Sequence, residues 1–281
     1  VGVLVFVDEI QRLPSLLNEI HSLIETHKPA VAFILTGSSA RKLKQEDANL
    51  LAGRALHFEF FPLGIDEIEY SSHELSLLQF GSLPQPFSES DIELKIAYLE
   101  TYVGVYLQEE IQREAQLRNL AAFSRFLELA ASYNGQVVNY AKTAEAVGVS
   151  DLTVKEYYRV LVDTLIVHAV PAWSYSICEQ LQKAPKYFLF DNGIINALLG
   201  DLRSDLRPST YRYGKLFENF VVTQLFQAKS KGRIPVSISH YRTANGKEID
   251  LIIQKNPHSP PVAVEMKSSV APKLSDVPTL K

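Results

Sequence analysis

The chain has 281 residues, 46% apolar and 21% charged, with a formal net charge of −4. That balance excludes a disordered or collagen-like chain, and the length fits two or three domains. No apolar run reaches the roughly 18–20 residues of a membrane span. The single cysteine, Cys178, excludes an internal disulfide and a CxxC zinc knuckle, so a reducing, cytoplasmic setting is expected. The first residue, Val1, sits inside an apolar run with no basic lead-in of a signal peptide, and an N-terminal part of the natural protein is expected to precede it. Charge is uneven: residues 1–201 carry 15 Lys+Arg and 26 Asp+Glu, whereas residues 202–281 carry 13 and 6. The basic end fits a polyanion partner such as DNA, or a solvated basic face.

Residues 3–7 form a continuous apolar run, the pattern of a parallel strand covered on both faces. The run ends in Asp8 and Glu9. Pro14 opens a helix, in which Leu16, Leu17, Ile20, Leu23 and Ile24 recur at helical spacing. A second strand over residues 31–35 ends in Thr36, Gly37 and Ser38, and a third is expected over residues 56–61. The order β-α-β-α-β implies a doubly wound parallel sheet, which binds ligands at the carboxyl ends of its strands. An acidic pair there suits a nucleoside triphosphate. Asp8 would hold Mg²⁺ through its waters and Glu9 would orient an attacking water. Ser38 would sense the terminal phosphate and Arg54 would stabilise transition-state charge. The bland alternative is an apolar run that merely happens to end in Asp-Glu. No G-x-x-x-x-G-K-[ST] loop occurs in the chain, so weak or no ATP binding is expected of it alone.

Three segments are specific enough to carry a resemblance: residues 5–14 (VFVDEIQRLP), 33–43 (FILTGSSARKL) and 49–55 (NLLAGRA). They resemble the Walker B block, sensor strand and arginine block of prokaryotic AAA-type ATP-binding proteins whose C-terminal part is domain of unknown function 4143. The resemblance implies ATP and Mg²⁺ as cofactors and continues along nearly the whole chain.

Residues 67–90 are polar and broken by Gly81, Pro84 and Pro86, an exit from the ATPase half. Helices are expected over residues 92–111, 120–133 and 140–147. Residues 144–159 read as a helix-turn-helix, with Gly148 in the turn and Ser150 as cap of the second helix. A wing strand is expected within residues 160–170. The second helix would offer Lys155 and Arg159 to DNA, but it also carries Asp151 and Glu156. A packing module or lid is the alternative reading.

Strands are expected over residues 186–190, 237–243, 247–254 and 262–268, with Asp191 capping the helix after the first of them. A strong helix is expected over residues 213–228, with Glu218 on the same face as Val221, Val222 and Leu225. Asn245-Gly246 is a hairpin turn signal. Strict alternation places Ile249, Leu251 and Ile253 on one face of their strand and Glu248, Asp250 and Ile252 on the other. Asp250, Glu265 and Lys267 have the spacing D-x14-E-x-K, the PD-(D/E)xK pattern of restriction-endonuclease-like folds. Glu218, Asp250 and Glu265 would hold Mg²⁺, and Lys267 would position water or neutralise developing charge. Segments PKYFLFDNG (185–193), FENF (217–220), YRT (241–243), GKEID (246–250) and VEMKSS (264–269) resemble the C-terminal blocks of the same family.

The expected architecture is α/β in three parts: a partial P-loop ATPase over residues 1–70, a helical and winged-helix middle over 71–172, and an α/β restriction-endonuclease-like domain over 173–281. The expected activity is ATP-regulated, metal-dependent nucleic-acid processing. The alternative is a non-catalytic ATP switch with a DNA- or protein-binding module. No membrane partner is expected, and the oligomeric state stays open.

Overall fold

A computed structural model describes residues 2–27, 30–37, 55–107, 111, 119–232, 234–243 and 245–269. Strands β1 (Val3–Val7) and β2 (Val31–Leu35) pair in parallel, Val3 opposite Val31 through Val7 opposite Leu35, with helix α1 (Leu16–His27) between them in sequence. Side chains alternate across this small sheet. Val7, Phe33 and Leu35 pack with Ile10, Leu17 and Ile20 into a local core. Leu4, Phe6 and Ile34 point the other way and stay exposed. Among the described residues the sheet is thus covered on one face, whereas the apolar runs read as covered on both.

The middle is helical: α2 (Tyr70–Phe80), α3 (Pro84–Ser88), α4 (Ile92–Thr101), α5 (Leu120–Ser132), α6 (Tyr140–Val147) and α7 (Asp151–Asp163). The long helix expected from residue 92 changes pitch, running on from α4 as a π-helical segment (Tyr102–Leu107). Local chemistry sets several helix starts. Asp91, Asn119, Asn139 and Ser150 each accept a backbone N–H of the first turn. Gly148 ends α6 in the left-handed conformation that glycine tolerates. Phe123, Phe126, Tyr157 and Tyr158 fill the space between α5 and α7. The same buried cluster takes in Leu189, Ile194, Tyr213, Leu216 and Phe220 from the later elements.

Strand β3 (Val167–Val170), helix α8 (Ile177–Gln182), strand β4 (Lys186–Leu189) and helix α9 (Asn192–Leu198) lead into the long helix α10 (Tyr211–Ser230). Strands β5 (Ser237–Arg242), β6 (Glu248–Gln254) and β7 (Val262–Val264) form an antiparallel sheet in sequential order. β3 and β4 pair antiparallel. The chain after β3 joins β5, since Trp173 N donates to His240 O (2.6 Å) and His240 N to Pro171 O (2.9 Å). Val222 of α10 is buried against Val170, Phe188, Ile238 and Leu251. Buried amides fix the rotation of α10. Asn134 donates to Asn219 (3.0 Å), Asn219 to Asn192 (2.9 Å), and Asn192 to Leu216 O (3.0 Å).

Asp191 is the other buried fastening. Its carboxylate accepts from Ser82 N (2.7 Å) and Ile194 N (3.2 Å), tying the α2–α3 turn to the start of α9. Burial raises its pKa to about 6, although the backbone donors oppose the shift. Gly81 passes this carboxylate at φ +73°, and a Cβ there would collide with it. Gly81→Ala is expected to destabilise the protein by about 2–3 kcal/mol, read from the urea midpoint. An unchanged midpoint would contradict this packing.

Residues 56–61 correct the expectation of a third strand. They pair with neither β1 nor β2, and Leu56, Phe58 and Phe60 are 84%, 74% and 93% exposed. Alternating apolar residues make a strand only where a neighbour supplies hydrogen bonds, and this segment leads onto α10 instead. Gln227 donates to Pro62 O (3.0 Å), Ile65 N donates to Gln224 (2.9 Å), and Lys231 pairs with Asp66 (3.4 Å) and Glu67 (3.5 Å). Phe61 stacks on His168, which stacks on Phe226.

Burial lowers the His168 pKa to about 4, and its Nε2 has no hydrogen-bond partner among the described residues. Between the ordinary value near 6.5 and about 4, the unfolded chain takes up a proton that the folded one refuses. This contribution to stability is therefore present above about 6.5 and is lost as the pH falls toward about 4. His168→Phe is expected to gain on the parent as the pH falls through that window, measured by urea midpoints at neutral pH and near pH 5. A difference independent of pH would contradict a neutral buried imidazole.

Candidate functional site

Asp250 lies in a β-bulge. Ser239 opposes Ile252 while Tyr241 opposes Ile249, so β6 holds one more residue than β5 across this stretch. Bulges re-aim side chains, and here strict alternation fails. Ser239 and Tyr241, two residues apart, share a face, so their partners Ile252 and Ile249 share one too, whereas alternation put Ile249 with Leu251. Asp250 Oδ2 accepts from Met266 N (2.7 Å). Leu251 opposes Val264, so the antiparallel register brings Asp250 opposite Glu265, and the two carboxyls are hydrogen-bonded. Burial, then the Asp250 hydrogen bond and charge, raise the Glu265 pKa, with Lys267 opposing. The Lys267 ammonium lies 3.4 Å from Glu265 Oε2 and is 37% exposed. Two carboxyls set opposite each other on neighbouring strands are the kind of oxygen ligands a divalent cation takes.

Glu218 is near this pair but differently engaged. Its side chain is 11% exposed, with Lys215 Nζ at 2.8 Å and Lys186 Nζ at 3.9 Å. Burial raises its pKa, Lys215 and Lys186 oppose the shift, and the charge of Asp250 adds to it. Lys186 is 1% exposed and also pairs with Glu248 of β6. One buried ammonium thus ties β4, α10 and β6 together. Read from the sequence alone, Lys186 and Lys215 had no role and Glu248 only a face of its strand. Lys186 had a signal, being a lone charge at the head of an apolar strand. Among the described residues no three His, Cys, Asp or Glu side chains converge as a metal-ligand set. Asp250 and Glu265 come together, while Glu218 is held by ammonium groups.

At the other end of the chain, Asp8 and Glu9 follow β1 beside the end of β2. Thr36 Oγ1 donates to Asp8, Glu9 N donates to Thr36 Oγ1 (3.4 Å), and Ile10 N donates to Thr36 O (3.0 Å). Glu9 takes φ +55°, a strained conformation for a non-glycine residue. Gln11 Nε2 donates to its carboxylate (2.9 Å). Ser38 and Arg54 lie outside the described residues. On α7, Lys155 pairs with Asp151 (3.5 Å) and Arg159 with Glu156 (2.8 Å), so each cation has an acidic neighbour on its own helix.

Residues 2–69 match the AAA domain family. Residues 74–205 match domain of unknown function DUF8612, and residues 213–281 match domain of unknown function DUF4143. Uncharacterized proteins of Mycobacterium tuberculosis and Mycobacterium bovis are each 26% identical over 273 residues, which is 97% of this chain and 60% of theirs. An uncharacterized protein of Haemophilus influenzae is 23% identical over 89% of this chain and 62% of its own length. The chain therefore spans about 60% of the length of these curated relatives. No solved structure matches it significantly. The fold is mixed helix and strand with a small parallel sheet at the N-terminus. No helix among the described residues is long and apolar enough to cross a membrane.

Proposed function

We propose that the protein cleaves nucleic-acid phosphodiesters at Asp250, Glu265 and Lys267 with a divalent cation, and that its AAA part binds ATP and regulates the reaction. The observation that carries this reading is the hydrogen-bonded pair Asp250–Glu265 at the bulge, with Lys267 3.4 Å from Glu265. Mg²⁺ commonly uses one or two carboxylates and completes its shell with waters and substrate phosphate, so two carboxyls suffice. Bound there, the cation would polarise the phosphate and acidify a water. Asp250, oriented by Met266 N, and Glu265 would hold the cation. Lys267 would neutralise charge developing on the phosphate. Glu218, held by Lys215 and Lys186, would keep α10 in register with β6. In the AAA part, Asp8 would hold Mg²⁺ of the nucleotide and Glu9 would orient the attacking water; Ser38 would sense the terminal phosphate and Arg54 would stabilise transition-state charge. No phosphate-cradling loop occurs in this sequence, and tight nucleotide binding would need one supplied from outside these residues.

The test incubates plasmid and single-stranded DNA with the protein and Mg²⁺ or Mn²⁺, with and without ATP, against Asp250→Ala. Cleavage absent in Asp250→Ala is the expected result, and intact DNA in every lane would overturn the proposal. One observation favours a second reading, a switch that binds without cutting: the lack of a three-ligand metal set among the described residues. That reading expects DNA retention in EDTA that is insensitive to Lys267→Ala. The paired state of Lys155 and Arg159 argues against α7 as the main DNA contact in either case.

A further inference from the structure

We infer that Arg242 is a substrate-binding residue that grips a backbone phosphate neighbouring the one to be cut. The inference deepens the proposed function: it rests on the nucleic-acid substrate and the carboxyl pair, but not on cleavage.

Strand register places Arg242. It ends β5 opposite Glu248, and residues paired across antiparallel strands share a face. Tyr241, one residue earlier, pairs with Ile249 and belongs to the other face. Glu248 meets Lys186, and Lys186 meets Glu218. The charge of Asp250 bears on Glu218, and those of Lys186, Glu248 and Arg242 bear on buried His240. Arg242 thus stands on the face that carries Asp250. Its partner Glu248 precedes Asp250 by two residues, about 7 Å along the strand.

The charge of Arg242 is unmet. The residue is exposed, and its guanidinium makes no ion pair or hydrogen bond among the described residues. The carboxylate opposite it, Glu248, is already held by buried Lys186. Glu218 is held by Lys215, and Glu265 has Lys267 beside it. Along this face Glu218, Glu248, Asp250 and Glu265 are matched in number by Lys186, Lys215, Lys267 and Arg242. A divalent cation on Asp250 and Glu265 would leave two positive charges over. The phosphate being cut supplies one negative charge and a neighbouring phosphate the other. Arg242 suits the second, since its planar fork offers parallel N–H donors to two phosphate oxygens.

The experiment titrates the protein with a labelled DNA duplex of about 20 base pairs, with Ca²⁺ in the oxygen-ligand site and NaCl varied. Arg242→Met is expected to weaken binding by about tenfold and to reduce the slope of log affinity against log salt by about 1. Arg242→Lys keeps the charge and is expected to keep the slope. Arg203 pairs with Glu93 and Glu100 of the helical middle, and Arg203→Met is expected to leave the slope unchanged. Urea midpoints of Arg242→Met should equal the parent's, because no ion pair is lost. No binding by the parent, an unchanged slope in Arg242→Met, or an equal drop in Arg203→Met would overturn the inference. Replacing Ca²⁺ by Mg²⁺ then separates the two proposals. A reduced slope without cleavage would keep the phosphate contact and remove the catalytic proposal, and cleavage with an unchanged slope would do the reverse.

Discussion

Lys267→Ala is expected to lower Mg²⁺-dependent cleavage by about 10²–10³-fold while leaving Mn²⁺ affinity nearly unchanged. Lys267 is not a cation ligand. Its ammonium stands beside Glu265 Oε2, where in the proposed reaction charge would develop on the phosphate. Removing one such stabilising group costs about that factor in rate. The pair with Glu265 is partly exposed, so its loss costs at most about 1 kcal/mol of stability. Single-turnover cleavage and Mn²⁺ calorimetry on the same preparation separate the two effects. A variant that cuts at the parental rate would remove Lys267 from the mechanism, and one that loses Mn²⁺ would make it part of the cation site.

The second large effect concerns Lys186. Lys186→Met is expected to destabilise the protein by about 1–3 kcal/mol, because it takes from buried Glu218 its ammonium on β4 and leaves it Lys215 alone. Glu248 suffers less, since its side chain is 36% exposed. The pH dependence has a definite sign. Without Lys186 the Glu218 pKa, already raised by burial, rises further. A carboxyl raised in the folded state contributes stability at low pH that is lost as the pH rises through its folded value. The deficit of Lys186→Met should therefore shrink on mild acidification. Adding Glu218→Gln to Lys186→Met should recover most of the loss at neutral pH. Urea midpoints of the two variants decide this. A double variant as weak as the single one would show that Lys186 acts through another contact.

Much of the fold was legible because local chemistry agreed with it. Ser150, Gly148 and Asp191 sit at the caps their residue types announce, and the apolar periodicity of α10 and α7 locates both helices. The failures share a physical cause: tertiary partners invisible in a linear pattern. Residues 56–61 alternate like a strand, but that segment leads onto α10 through Gln224, Gln227 and Lys231. Alternation along residues 248–254 assumed an unbroken ladder, and the bulge at Asp250 broke it. Of the site, Asp250, Glu265 and Lys267 were readable from spacing, because residues two apart on a strand share a face. The ammonium partners of Glu218 were not. Lys215 lies three residues before it on the same helix, but Lys186 comes from a strand more than thirty residues upstream. The trio Asn134, Asn192 and Asn219 was equally hidden, since a buried amide looks like any surface asparagine until its partners are placed.

The central claim is that Asp250 and Glu265 form a divalent-cation site, and calorimetric titration of Mn²⁺ into the protein without DNA or nucleotide tests it most directly. The account predicts a binding event in the parent chain that Asp250→Asn abolishes and Asp8→Asn leaves in place. No Mn²⁺ binding in the parent, or binding that survives Asp250→Asn, would contradict it.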